Sequence, residues 1–341
     1  MKIKNITAGL LTMLILIVFS GCSNEKSESK TVNIGFFPNI THSQALIGKQ
    51  NKSFEKSFGK DVKVNWHQFN AGSSEIEAFL SGSIDIGYIG PSPAINGYTA
   101  SSGDVQIISG AADAGSILVS RKDVNIKSLK QLANKRIAVP EFGNTQDLSL
   151  RNILKKYGLK DKTKGGNVEI VQSDNSAIKS LMVTEQIDAA LVPEPWGSIL
   201  EKEVGAKVVL DYNEVWKEGN YPVTVVLVRK EFLEDHPELV EKFLKTHVQL
   251  TQYIQNNTAD AEDLVNKQIY SLTQKSFPKS VMDSSFSRIR ITNDPEKDIV
   301  NQMVDLSIYA GFLQKKPDTK NLVNLKPLNK VLKEEGLKQI E

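Results

Sequence analysis

Cysteine is nearly absent from this chain: among 341 residues Cys22 alone carries a thiol. No disulfide can staple the fold, so stability must come from apolar burial, which a chain of this length can supply. Histidine is scarce too, with four residues: His42, His67, His236 and His247. None stands in a metal-ligand spacing such as H-E-x-x-H, which argues against a zinc enzyme. An excess of one charge is also missing. The formal charge of +2 comes from Lys2 and Lys4, and without them the basic residues equal the 40 acidic ones. Nucleic acid demands a clustered basic surface, so it is not an expected partner. Neither GxxxxGK[ST] nor GxGxxG is present, so no nucleotide is implied, and no cofactor is expected. There is no G-x-S-x-G elbow and no His/Asp/Ser set at recognisable spacing, so catalysis is poorly supported.

Long hydrophobic runs are lacking as well. The apolar stretch Leu10 to Phe19 is shorter than the roughly 20 residues of a spanning helix. Lys2 and Lys4 precede it and Ser20-Gly21-Cys22 follow it, the layout of a secretory signal peptide. A cysteine directly after Ser-Gly resembles the lipobox of bacterial lipoproteins. That resemblance implies cleavage before Cys22, a lipid on its sulfur, and residues 1–21 as signal. The expected address is the extracytoplasmic face of the cell membrane, held by lipid. Residues 22–30 are polar without an apolar period and read as a flexible tether.

Beyond the tether, strands and helices alternate. Thr31–Phe36, Val62–Trp66 and Ile84–Ile89 read as strands, and Ser73–Leu80 as a capped amphipathic helix. Val105–Ser109 and Ser116–Ser120 continue the strand series. A second cycle follows, with Arg136–Val139 and Val168–Val171 as strands. Ser176–Met182 and then Ile187-Asp188 with Pro193-Glu194-Pro195 echo Ser74–Leu80 and then Ile84-Asp85 with Gly90-Pro91. The repetition predicts two α/β lobes of one plan. Thr224–Val228 is a late strand, after which helices dominate: Glu238 to Ile254, Ala259 to Tyr270, Lys297 to Phe312. Asp294-Pro295 is expected to start the last of these, with the proline just inside, and Gly311 to stop it. No further strand is expected there.

Three strand ends run into small, polar or proline-bearing residues and then a helix: Phe37 to His42, Gly90 to Pro93, and Phe142 to Gln146. Ligands of open α/β sheets sit outside the carboxyl ends of strands. A helix start offers unpaired N–H groups and a partial positive charge of about half a unit. Several such starts facing one cleft would hold an anion without a buried lysine. Thr41, Ser92 and Thr145 add hydroxyls; Asn39, Asn144 and Gln146 add amides; His42 could add a proton-bearing ring nitrogen. Taken singly, each is better explained as a cap or turn residue; taken together, at matching points of a repeated plan, they favour a binding cleft. Glu194 could accept from an ammonium group and Trp196 could cover an apolar part, or the pair is a surface loop with Trp196 in the core. Asp113 carries the same two readings, Trp66-His67 reads as strand packing, and Arg288 and Arg290 read as a solvated face.

The order of these motifs resembles the nitrate/sulfonate/taurine family of ABC-transporter substrate-binding proteins. The pieces are Ile34-Gly35-Phe36, Asp85 to Ala94, Leu129 to Pro140, Ile187-Asp188-Ala189 leading to Glu194-Pro195-Trp196, and His236 to Leu244. The resemblance implies an α/β, two-lobed type II periplasmic-binding-protein fold, each lobe a mixed sheet flanked by helices. It places crossovers near Leu118–Arg121 and Thr224–Val228, lobe one at 31–119 plus 226–330, lobe two at 120–225, and a tail at 331–341. It implies an anion held by Asn39–His42, Ser92 and Gly143–Gln146, most naturally an aliphatic sulfonate or taurine, with an ABC permease and ATPase as partners. Pro38 to His42 differs from the Tyr-Gln loop associated with sulfonate and taurine binders. Two other readings stand beside it. One is a receptor for a heterocycle such as a thiamine pyrimidine, with Phe36, Phe37, Tyr88, Phe142 and Trp196 available for stacking. The other is an enzyme on the same fold, like those acting on menaquinone precursors.

Overall fold

The computed structural model describes residues 30–341. The expected signal peptide and lipidation site at Cys22 lie outside the described residues, as does most of the expected tether. Lys30, expected in the tether, instead opens the first strand.

Eleven strands form two sheets. β1 (Lys30–Phe36), β2 (Val62–Gln68), β3 (Ile86–Ile89), β4 (Val105–Ala114), β10 (Pro222–Arg229) and β11 (Ile289–Ile291) make the first, in the order β11-β4-β10-β3-β1-β2. β5 (Ser116–Ser120), β6 (Arg136–Val139), β7 (Glu169–Gln172), β8 (Ala189–Pro193) and β9 (Lys207–Leu210) make the second, in the order β7-β6-β8-β5-β9. Each sheet has a parallel trio, β2-β1-β3 or β7-β6-β8, linked through helices. Each also receives one antiparallel strand that has just crossed over: β5 beside β8 and β10 beside β3. The expected two-lobed α/β plan is therefore present.

The crossovers sit a few residues from the expected places. β5 belongs wholly to the second sheet, so the first crossing falls at Gly115, between β4 and β5. β10 begins at Pro222 in the first sheet, so the return falls between β9 and β10, before Thr224. Ala114 (φ 61°) and Gly115 (φ 71°) are both left-handed there. A β-carbon on Gly115 would also meet Ile289 Cγ2 at 2.5 Å. Every residue of β4, β5 and β8 is buried, because helices cover both sheet faces and leave no wet side.

The Ile-Asp repeat has a physical basis. Asp85 Oδ2 accepts the N–H of Asn33 at 2.9 Å, and Asp188 Oδ2 accepts that of Arg136 at 2.8 Å. In return the Asp85 and Asp188 N–H groups donate to Asn33 O and Arg136 O at 3.0 and 2.8 Å. The crossed-over strand closes each motif. Arg229 N–H donates to Asp85 O and Arg121 N–H to Asp188 O, each at 2.9 Å, and both guanidinium groups lie near the same carboxylates. One aspartate thus joins three strands in each lobe.

Four local expectations need correction. Ile289–Ile291 adds an edge strand to β4, so the late region is not helical throughout. Pro295 lies before its helix, which begins at Lys297 after Glu296 in a left-handed conformation (φ 51°). The helix expected from Ser73 starts at Gly72, and no side chain caps it. Residues 331–341, expected as a tail, are not wholly one: the helix Lys326–Glu334 buries Leu328, Val331 and Leu332 across the boundary at 331.

The long helix Pro237–Asn256 is fixed to the first lobe by aromatic packing. Phe243 stacks on Phe54 at 4.7 Å, and Phe54 meets Trp66 edge-on at 5.6 Å. His247 Nδ1 is 3.0 Å from Tyr88 Oη, and its Nε2 is 2.9 Å from Gly110 O. Burial lowers the His247 pKa to about 4, so the ring is neutral at pH 7.

Candidate ligand cleft between the lobes

All six parallel strands end at the groove between the sheets, and each is followed by a helical start. These are Ile40–His42 (a 3₁₀ turn), Gly72–Leu80, Pro91–Ala100, Thr145–Lys156, Asn175–Val183 and Trp196–Val204. The strand ends point there because every parallel strand enters its sheet in one direction and its helix must turn back across the same edge.

Lobe meets lobe directly across this groove. Ser92 Oγ donates to Gly143 O at 2.7 Å, Gly72 N–H to Glu141 Oε2 at 3.0 Å, and Trp196 Nε1–H to Asn39 Oδ1 at 2.9 Å. Ser73 Oγ also reaches Glu141. Further out, Lys155 Nζ lies 4.0 Å from the Tyr309 ring centroid, and the Arg151 guanidinium 5.2 Å from that of Phe312. The cleft is therefore closed.

What remains inside is a cavity of about 40 Å³. At roughly 10–15 Å³ per water-sized group, it has room for about three such groups. A groove of about 520 Å³ adjoins it and shares Phe37, Asn39, Asn70 and Asn175 with it.

Six of the anticipated residues line the inner cavity: Asn39, Thr41, His42, Asn144, Thr145 and Gln146. Thr145 is the most telling of them. It is 3 % exposed, and its Oγ1 has no hydrogen-bond partner in the protein. A buried hydroxyl without a partner costs roughly 1–3 kcal/mol, so a residue that keeps one at the wall of a cavity is suited to a guest. The first-turn N–H groups of its helix are not used by the helix itself. Asn144 Oδ1 caps that helix by accepting from Asp147 N–H at 2.9 Å. Gln146 is committed elsewhere, its Nε2 donating to Ser116 Oγ at the crossover at 3.0 Å.

His42 is fully buried, stacked on Phe37 at 4.8 Å, and desolvation lowers its pKa to about 3. The ring is neutral at pH 7. Phe37 N–H donates to its Nδ1 at 3.3 Å, which leaves the ring proton on Nε2 as a donor.

Other anticipated residues are placed differently. Ser92 and Gly143 do not line the cavity: the Ser92 hydroxyl is taken by Gly143 O, and Pro91 and Pro93 remove two N–H groups from that helix start. Glu194 is fully buried away from the cavity. Arg288 Nη1 reaches its Oε1 at 3.0 Å, Ser198 N–H its Oε2 at 2.9 Å, and Ser285 Oγ the same oxygen at 3.2 Å. Both its oxygens are engaged within this cluster rather than lining the cavity. Arg288, expected on a solvated face, is the hub of that cluster and also pairs with Glu201 and Asp211. Arg290 is half-exposed but paired with Asp113 and Glu296. Trp196 does not line the inner cavity; it lines the outer groove, edge-on to Phe277 at 6.2 Å. Of the aromatic rings invoked for a heterocycle, Phe36 and Tyr88 are core residues and Phe142 is 49 % exposed.

Sequence reasoning missed Asn70, Ala71, Gly72, Glu141 and Asn175, which line the cavity too. Asn70-Ala71-Gly72 follows β2 and Asn175 follows β7, so the strand-end rule applied to all six ends would have found both. Among the described residues no cluster of metal-ligating side chains occurs, and no helix is long and apolar enough to cross a membrane.

The chain is 32 % identical over 249 residues to the taurine-binding periplasmic protein of Escherichia coli, covering 72 % of each chain. It is 26 % identical over 334 residues to a putative aliphatic sulfonates-binding protein of Bacillus subtilis, covering 95 % of this chain and 97 % of that one. Its fold matches the alkanesulfonate-binding protein SsuA of Xanthomonas axonopodis pv. citri bound to MOPS, at a TM-score of 0.73 and 19 % identity, over 87 % of this chain and 99 % of that one. A model of the NMT1-like family matches residues 25–267, and the chain belongs to that family.

Proposed function

We propose that this chain is the extracytoplasmic solute-binding lipoprotein of an ABC importer, and that it captures an aliphatic sulfonate or taurine in the cleft between its lobes. It is a receptor and not an enzyme. The observation that carries the reading is the unpartnered Thr145 hydroxyl at the wall of a small cavity between the lobes. Around it stand neutral donors: the His42 Nε2–H, the Thr41 hydroxyl and the helix starts. No lysine or arginine lines that cavity. A tetrahedral head group held by dipoles and neutral donors needs none, and closure strengthens each contact by excluding water.

The ligand would act on the lobe equilibrium. Ser92–Gly143, Gly72–Glu141 and Asn39–Trp196 form only when the lobes meet, and a guest bonded to both lobes shifts the population toward that state. Gly115 and the β9–β10 return are the positions where the chain changes sheet, and they are where the hinge would turn. The permease and ATPase would read the closed form, and the lipid on Cys22 would keep the receptor near them.

The test is a melting-temperature series on the body lacking residues 1–22, with taurine, longer alkanesulfonates, sulfate, nitrate and an aminomethyl-pyrimidine. A specific ligand raises the melting temperature as its concentration passes Kd. A rise with sulfonates supports the reading; a rise with the pyrimidine alone replaces it.

A further inference from the structure

The lobes also meet away from the cavity, along one flank of the cleft. Helix Lys297–Ala310 belongs to the first lobe: β11 leads into it, and beyond it Leu322 O accepts the Ile107 N–H of β4 at 2.9 Å. Three cations of the second lobe converge on its far end. The Arg151 guanidinium stands over the Phe312 ring and Lys155 Nζ over that of Tyr309, at 5.2 and 4.0 Å from the centroids. Lys164 Nζ faces Gly311, where a β-carbon would stand 2.9 Å from it. Gly311 ends that helix, so Lys164 lies at the negative end of its dipole. Arg151 is fixed in turn by Asp147 at 2.9 Å and Asp161 at 3.1 Å. Asp147 Oδ2 also accepts the Gly143 N–H at 2.9 Å, which ties Arg151 to the loop that leads to Thr145.

None of Arg151, Lys155, Lys164, Tyr309 and Phe312 lines the inner cavity or the outer groove, so a guest in either does not touch them. We propose that these five residues form a clamp that holds the lobes together on its own, whatever the chemistry of the guest. A cation over an aromatic face is attracted by the ring quadrupole, and the attraction needs no third partner. Closure energy supplied here raises the closed population before a guest arrives, and a guest then adds its own share. The Asp147–Arg151 pair makes the clamp and the Gly143–Thr145 loop one unit. The wall of the cleft that carries Thr145 is thereby positioned against the first lobe through Phe312.

The test is amide hydrogen exchange on the full chain in detergent, dialysed free of small molecules. Gly72 is the reporter, because its N–H donates across the cleft to Glu141 Oε2 and loses that partner once the lobes part. The amides of Asp85 and Asp188 are internal controls, since each bonds within its own lobe. In the native chain Gly72 should be protected with no guest added. Tyr309→Leu with Phe312→Leu keeps apolar bulk and removes both rings. It should speed exchange at Gly72 roughly 5- to 30-fold and leave the controls unchanged. Tyr309→Phe with Phe312→Tyr keeps both rings and should retain native protection. Gly72 exchanging like a free peptide in the native chain overturns the proposal, and so does equal protection in the leucine variant. Loss of protection in the ring-keeping variant shows that shape and not the ring faces holds the lobes, and overturns it too. Should the leucine variant unfold, seen as faster exchange at both controls, Lys155→Met decides. It removes one exposed cation and should speed Gly72 roughly two- to fivefold, whereas no change overturns the clamp.

Discussion

Thr145→Val separates ligand binding from folding in one substitution. The two side chains have nearly the same shape, so packing changes little, and what is lost is one hydroxyl. Thr145 Oγ1 is buried with no partner in the protein itself, so its removal takes away an unmet polar group. The ligand-free fold should therefore hold its stability or gain up to about 1–3 kcal/mol. In the proposed complex the same hydroxyl would face a sulfonate oxygen, and a hydrogen bond to a charged group is worth about 1.5–3 kcal/mol. At about 1.4 kcal/mol per decade, Kd should rise roughly 10- to 150-fold. Two assays read the two signs: urea unfolding without ligand and calorimetric titration with taurine. Unchanged affinity refutes the placement of the head group at Thr145. A large loss of ligand-free stability refutes the claim that its hydroxyl waits for a guest.

Arg288→Met should destabilise the fold by about 3–5 kcal/mol, because it strands the fully buried Glu194 carboxylate; denaturant midpoints measure it, and an unchanged midpoint contradicts it. Adding Glu194→Gln should return part of that loss. Gly110→Ala should lower the urea midpoint, since its β-carbon would stand 2.1 Å from Asp294 O, a backbone atom that cannot rotate away; an unshifted midpoint shows that the loop at 293–295 yields. Acid should weaken the fold between about pH 6.5 and 3: His42 and His247 stay neutral when folded, with pKa values near 3 and 4, while the unfolded chain binds their protons. The slope is up to about 1.4 kcal/mol per pH unit for each histidine, readable in urea titrations at stepped pH. Glu75 works the other way. Burial raises its pKa well above 4.5, both oxygens lack partners, and stability declines as pH rises from about 4.5. Glu75→Gln should therefore stabilise the protein more at pH 8 than at pH 4; an equal effect at both contradicts an uncharged Glu75.

The sequence carried the parallel strands and their helices well, because short β-branched apolar runs and strand-end punctuation are local signals. The Ile-Asp echo was legible for a deeper reason: Asp85 and Asp188 perform the same backbone bonding in each lobe. The crossovers were harder. β4 continues through Ala114 and turns into β5 at one glycine, with no loop between the strands to mark it. β11 was missed because three residues after a helix give no period. Within the cleft, Thr145, His42 and Asn39 were found from strand ends, whereas the place of Glu194 was not. Its partners Arg288 and Ser285 lie about 90 residues further along the chain, and only packing brings them together. Ser92 was at the right place with a different partner, since the direction of a hydroxyl depends on what the opposite lobe offers.

The most direct test of the central claim is a crystal of the chain grown with taurine. The account predicts sulfonate density inside the cavity that Asn39, His42 and Thr145 line, with one oxygen about 2.7–2.8 Å from Thr145 Oγ1. Density in the outer groove alone, or an inner cavity left to water at saturating taurine, would contradict it.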